Sequence, residues 1–406
     1  MEVHNTDTRY KTFKPHNKDV MQENLFFGEP VNIARYDIQK HPKIEQLIEK
    51  QISQFWRPEE ISLVQDSIDF KQLTKDERHI FLSNLKYQTL LDSVQGRSPN
   101  AVLLPITSLP EYETWLETWG FFETIHSRSY THIMENALPN ATEELDSIVN
   151  NEEIQKRAAS VTKYYDNLYK YSALYNLYGT GTYDIKLTDN NNQVKTIKEI
   201  VTDRKLKELL YLTLHSVNAL EGIRFYVSFA CSFAFAEFGR MSGNAMIVKF
   251  IARDEVVHLA GTQYVLNALR GGKDDPEFID IANDKEIIQN VEHIYEEVFQ
   301  QENDWAKYLF SGTTSMMGLN EKVLNQYLKF LTNERTKAVG VRQLQKDTNN
   351  PVKWVHNKWL EFNDFQNAPQ EKEGSSYLVS QIKHDINMQD KKYMDDLMPI
   401  PVNLQD

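Results

Sequence analysis

Two Glu-x-x-His pairs, each matched by a further carboxylate on a separate apolar segment, constrain this chain more than any other feature. The first pair is Glu123 and His126 in "FFETIHSRSYTHI", and the second is Glu255 and His258 in "KFIARDEVVHL". The partner acids are Asp92 in "LKYQTLLDSVQGRSPN" and Glu221 in "VNALEGIRFYVSFACSFAFAEF". Glutamate and histidine three apart share one helix face, so both can reach one point. Four carboxylates and two imidazoles arriving from four helices match the ligand set of two iron or manganese ions inside a helical bundle. Such a site names a chemistry, oxygen activation or redox storage, as well as a fold.

Spacing alone does not single these residues out. Asp76 and His79 have the same offset in "KDERHI", but they sit among charged first-turn residues and are read as a chance match. Context separates the others. Glu221 opens a segment that is apolar nearly all round, with Phe225, Phe229 and Phe233 four apart. A helix of that kind is central. A carboxylate buried at its start costs several kcal/mol or so unless it is paired, hydrogen-bonded or metal-bound. Tyr130 lies four residues after His126, one turn along the same face. A phenol there could give up an electron and a proton to an oxygen-activating metal pair.

Composition narrows the partners. The formal charge is −13 and the sequence pI about 5.4, with no basic tract, so no nucleic-acid partner is expected. The single cysteine, Cys231, lies in an apolar run and makes neither an intrachain disulfide nor a zinc cluster. The N-terminal "MEVHNTDTRYKTFKPHNKDV" has no apolar signal core. The stretch Phe225 to Ala236 is too short to span a bilayer, so no membrane association is expected. A soluble, reducing, cytoplasmic setting is the expectation.

Residues 1–24 read as a flexible N-terminal segment, residues 25–345 as one mainly helical domain, and residues 346–406 as a flexible, proline-punctuated tail. In "HPKIEQLIEKQISQFW", Ile44, Leu47, Ile48, Ile52 and Phe55 predict one apolar helix face, and Pro58 and Glu59 mark a restart. Thr74 with Glu77 predicts a capping box, and Gly96 the end of that helix. Pro110 and Pro139 bracket a long helix in which Gly120 suggests an irregularity. "YDIKL" and "VKTI" flank the turn-rich "TDNNNQ", predicting a small β-hairpin between helices.

The stretches "FFGEPVNIARYDIQKH", "FWRPEE", "NLKYQTLLDSVQGRSPN", "ETIHSRSYTHIMEN", "LEGIRFYVSFACSFAFAE" and "IARDEVVHLAGTQY" strongly resemble the small, radical-generating subunit of class I ribonucleotide reductase, in the class Ia form of bacteria and their phages. The likeness runs from about Leu25 to Tyr377. It implies an all-α, ferritin-like bundle with a diiron-carboxylate centre, in a homodimer that acts with a large subunit. Asp92, Glu123 and His126 would hold one iron and Glu221, Glu255 and His258 the other, with Glu123 and Glu255 bridging. Tyr130 would carry the radical, shielded by Phe225, Phe229 and Ile251. Trp56 and Asp254 would begin the electron route, and Tyr377, with Glu371 near it, would hand the oxidising equivalent to the large subunit. The tail would dock on that subunit, although its end, "MDDLMPIPVNLQD", departs from the family's usual "DDLSNF" in its proline pair and length.

Other classes make different demands. Another diiron oxygenase or desaturase would need its own substrate cavity and no partner. An iron-storing ferritin would be shorter and lack the tail. A plain helical scaffold would bind no metal. One cysteine cannot complete ribonucleotide reduction, which needs several redox thiols, so a division of labour with a second chain fits the composition.

Overall fold

The computed structural model describes Tyr10, Lys11 and Phe13 and residues 19–188, 192–316, 318–346 and 349–362. In chain order the helices are α1 (Pro42–Ser53), α2 (Val64–Gln72), α3 (Lys75–Gln95), α4 (Pro110–Ala137), α5 (Ala141–Asp146) and α6 (Glu152–Tyr178). A hairpin of β1 (Gly181–Thr188) and β2 (Val194–Val201) follows. Then come α7 (Asp203–Ala219), α8 (Phe225–Glu237), α9 (Ser242–Arg270), α10 (Glu277–Asn283), α11 (Lys285–Leu309) and α12 (Glu321–Ala338). The fold is the expected ferritin-like helical body with one small antiparallel hairpin, which pairs Gly181 with Val201 and Thr188 with Val194.

Local chemistry sets the ends of the elements that matter. The Thr74 hydroxyl accepts from the Glu77 amide at 3.3 Å, and Glu77 Oε2 accepts from the Thr74 amide at 2.8 Å. This reciprocal box starts α3 as the sequence predicts. The helix α9 is started from outside. Asp69 Oδ2 accepts from the Met241 amide at 2.9 Å, and the two Asp66 oxygens accept from the Gly243 and Asn244 amides at 3.0 and 2.7 Å. Two α2 carboxylates therefore satisfy the orphan donors of α9 and fix its register. Gly243 is required there, because a Cβ would meet the Ser62 carbonyl oxygen at 2.4 Å.

The bundle core forms where α3 packs on α4 and α8, and where α9 packs on α4, α7 and α8. Every residue from Phe225 to Phe235 is buried, as the all-round apolar pattern of α8 requires. The stretch Asp203–Glu237 is long and apolar enough to cross a membrane by composition, but 94% of its most apolar window is buried inside the body. It is the core element of the bundle.

Three expectations need correction. Ile52 and Phe55 are exposed, and Gln51 is buried in their place. The α1 stripe drifts off the contact face by its last turn, and Phe55 lies beyond the helix, stacked on Phe121 at 6.2 Å. Gly120 marks no irregularity in α4: the helix is continuous, and the missing side chain makes room for Asn100, whose Nδ2 a Cβ would meet at 2.5 Å. The packed body also continues past residue 345. Val352 and Val355 are buried, Trp359 stacks on Phe233 at 4.7 Å, and its indole N–H donates to Glu237 Oε1 at 2.7 Å. A polar, proline-rich composition concealed these few apolar anchors.

Candidate metal centre

Asp92 comes from α3, Glu123 and His126 from α4, and Glu255 and His258 from α9. Glu221 lies in a π-helical turn, Leu220–Arg224, that joins α7 to α8. The extra residue in that turn re-aims a side chain that a regular helix would direct elsewhere, a device common at functional sites. All six side chains are fully buried.

They converge as two overlapping groups. Asp92, Glu123, His126 and Glu255 offer ligand atoms within 4.8 Å of one another, and so do Glu123, Glu221, Glu255 and His258. Glu123 and Glu255 belong to both. His126 Nδ1 lies 3.1 Å from Glu255 Oε1, and His258 Nδ1 lies 3.1 Å from Glu123 Oε1. Yet both Asp92 oxygens, Glu123 Oε2, His126 Nδ1, Glu221 Oε2, Glu255 Oε1 and His258 Nε2 have no aligned hydrogen bond. Each buried, unsatisfied polar atom costs about 1–3 kcal/mol. Close approach without alignment is what donor lone pairs aimed at common points produce. Four carboxylates and two imidazoles with orphaned atoms fit a pair of hard divalent or trivalent cations.

Without cations the cluster must hold protons. Burial, then the Glu123 carboxylate, pushes the Asp92 carboxyl well above its ordinary range. Burial, then Glu255, does the same to Glu221. Burial would lower both histidines, but the neighbouring carboxylates win. His126 is raised by Asp254, Glu123 and Glu255, and His258 is raised to about 9 by Glu123 and Glu255. Glu255 moves the opposite way: burial opposes its ionisation, but Glu221, His126 and His258 hold it below the carboxylate range. With its value raised to about 9, His258 is protonated at neutral pH, and a cation must displace that proton. Metal uptake is therefore expected to acidify a weakly buffered solution, and apparent affinity is expected to rise with pH. Loading with no proton release, followed by an indicator dye, would contradict this electrostatic account.

The remaining predicted residues fall as follows. Tyr130 is fully buried and its hydroxyl makes no aligned hydrogen bond. Burial, then the Asp92 carboxylate, raises its pKa well above the ordinary phenol value. The Trp56 indole N–H donates to Asp254 Oδ2 at 2.7 Å, and His126 Nε2 lies 3.2 Å from the same oxygen. The Trp56 and His126 rings are 6.4 Å apart at 28°. Phe225, Phe229 and Ile251 are all fully buried, and the two phenyl rings stack at 5.7 Å. Tyr377 and Glu371 lie outside the described residues. His79 Nε2 sits 3.1 Å from the Tyr308 carbonyl oxygen, and neither His79 nor Asp76 joins the cluster.

Two supports of the cluster went unread in the sequence. The Trp119 indole N–H donates to Glu123 Oε1 at 2.7 Å. The Gln95 amide donates to Glu221 Oε1, and the Tyr165 hydroxyl donates to Gln95 Oε1 at 2.9 Å. Trp119 is four residues before Glu123 and Gln95 three after Asp92, so helical spacing carried a signal for both. Tyr165, on α6, had none.

A helical bundle with a buried carboxylate–imidazole cluster is the architecture of a metal-carboxylate protein. Residues 35–351 match the family described as "Ribonucleotide reductase, small chain". The chain is 53% identical over 381 residues to the ribonucleoside-diphosphate reductase subunit beta of Haemophilus influenzae, covering 94% of this chain and 98% of the relative. It is 44% identical over 389 residues to the subunit beta of enterobacteria phage T4, covering 92% and 97%. In fold it is similar to the ribonucleotide reductase R2 subunit from Clostridium botulinum, with a TM-score of 0.70 at 22% identity, covering 86% of this chain and 98% of that one. It is likewise similar to Streptococcus sanguinis dimanganese(II)-NrdF, with a TM-score of 0.59 at 18% identity, covering 79% and 96%. The chain belongs to the ribonucleotide reductase small-chain family. As a small subunit of ribonucleoside-diphosphate reductase it serves deoxyribonucleotide synthesis, and a large-subunit partner is implied.

Proposed function

We propose that this chain generates and stores a tyrosyl radical at Tyr130 and delivers its oxidising power to the large subunit. Asp92, Glu123 and His126 would hold one iron and Glu221, Glu255 and His258 the other, with Glu123 and Glu255 belonging to both ligand groups. The observation that carries this reading is the pair of overlapping ligand groups that share Glu123 and Glu255, with their donor atoms orphaned. When bound, a reduced iron pair would supply two of the four electrons that take O2 to the water level, Tyr130 would supply a third, and an external one-electron reductant such as excess Fe(II) would supply the fourth. Manganese suits the same donors.

The chain's own residues do the rest. Tyr130 gives up one electron and its hydroxyl proton, and the Asp92 carboxylate is the neighbouring group available to take that proton. Full burial of Tyr130 excludes water and external reductants, which would otherwise quench a strong oxidant. Asp254 orients His126 through Nε2 while accepting from Trp56, so one carboxylate couples the cluster to an oxidisable ring. The hole leaves through Trp56 and then Tyr377, and the C-terminal tail of a homodimeric small subunit seats Tyr377 on the large subunit.

The test is electron paramagnetic resonance of metal-free protein after addition of Fe(II) and O2. A tyrosyl signal is the expected result. Iron uptake and O2 consumption with no protein radical would instead indicate an oxidase of another kind.

A further inference from the structure

The π turn that carries Glu221 is clamped from its outer side by a residue that no ligand pattern would pick. The Arg335 Nε–H, on α12, donates to the Gly222 carbonyl oxygen at 3.1 Å. A π turn breaks the regular hydrogen-bond ladder and frees carbonyls, and this one is taken up by a guanidinium. The fit is close: a Cβ on residue 222 would meet Arg335 Cγ at 2.8 Å and Cδ at 2.9 Å. The same guanidinium lies 5.0 Å from the ring centroid of Tyr226, one turn along on α8, so it grips both sides of the junction. From within, the turn's own Arg224 is anchored by Glu302 at 3.1 Å and Gln301 at 2.8 Å. Among the described residues Gln95 donates to Glu221 Oε1, Oε2 has no aligned hydrogen bond, and the facing group is the like-charged Glu255. Its aim therefore depends on the backbone beneath it.

We propose that Arg335 is a positioning residue for the metal centre: by holding the Gly222 carbonyl it sets the π turn, and so fixes the Glu221 carboxylate for the ion it shares with His258. This rests on the dinuclear reading above. Outer supports of metal ligands are typically worth about 10–100-fold in metal affinity.

The experiment is an anaerobic Co(II) titration of metal-free, full-length protein, followed by visible ligand-field absorption. The unaltered protein is expected to bind two ions per chain. Arg335→Met keeps the aliphatic stem over Gly222 and Tyr226 but lacks the donor. It is expected to keep one ion at unaltered affinity, to bind the second about 10–100-fold more weakly, and to change the absorption of that ion alone. Arg335→Lys, with a donor and charge restored, is expected to recover most of the loss. Gly222→Ala, which pushes the guanidinium aside, is expected to reproduce the Arg335→Met result and carries the test should that variant fail to fold. Second-ion affinity within twofold of the unaltered protein, with an unchanged spectrum, would overturn the proposal while leaving the dinuclear site intact. An unaltered protein that takes up no Co(II) would remove the dinuclear reading, and the clamp with it.

Discussion

A Tyr130→Phe protein is expected to load metal normally, to show no tyrosyl signal, and to support turnover with the large subunit only at the assay background. The structure makes this variant unusually clean. The Tyr130 ring is fully buried and its hydroxyl faces the Asp92 carboxylate without an aligned hydrogen bond, so phenylalanine keeps the ring packing and removes a poorly satisfied polar atom. Unsatisfied buried hydroxyls cost about 1–3 kcal/mol, so thermal stability should stay level or rise. Loss of activity with unchanged stability and unchanged metal content would separate a radical-bearing residue from a packing one. A tyrosyl signal of undiminished intensity in this variant would move the role to another of the chain's 20 tyrosines.

A chain truncated after Tyr377 is expected to form the radical as the full chain does and to lose turnover with the large subunit. The packed body reaches Trp359, whose ring stacks on Phe233 and whose indole bonds Glu237, and a cut after Tyr377 leaves these contacts in place. The removed part contains "MDDLMPIPVNLQD", the segment proposed to dock. Tyr377→Phe in the full chain should give the complementary result, a complex that forms with the radical intact but does not turn over. A cut before Pro351 would behave differently, because it deletes the buried Val352 and Val355 together with the Trp359 stack. Losing such packing costs roughly 3–5 kcal/mol, enough to lower the melting temperature clearly. Retained turnover after the cut at Tyr377 would show that docking lies elsewhere in the chain.

The parts of this molecule that local periodicity encodes could be read directly. Glu123 with His126 and Glu255 with His258 share helix faces, Thr74 and Glu77 form the capping box, and the hairpin strands alternate about a turn-rich centre. What could not be read depends on contacts between segments distant in the chain. The Glu221 π turn is stabilised by Arg335, more than a hundred residues away, and the start of α9 is satisfied by Asp66 and Asp69 of α2. Neither pairing leaves a local pattern. Gly120 resembles a helix breaker, because sequence does not show that Asn100 fills the space beside it. The union of Trp56, Asp254 and His126 on one carboxylate oxygen is likewise invisible to spacing, and it was the family resemblance that pointed to it.

The central claim is that six side chains from four segments of the bundle hold two metal ions between shared carboxylates. X-ray diffraction recorded at the iron absorption edge from iron-loaded crystals tests it most directly. The expected map has two anomalous peaks per chain, one bounded by Asp92, Glu123 and His126, the other by Glu221, Glu255 and His258, with Glu123 and Glu255 touching both. A single peak, or peaks outside this cluster, would contradict the account.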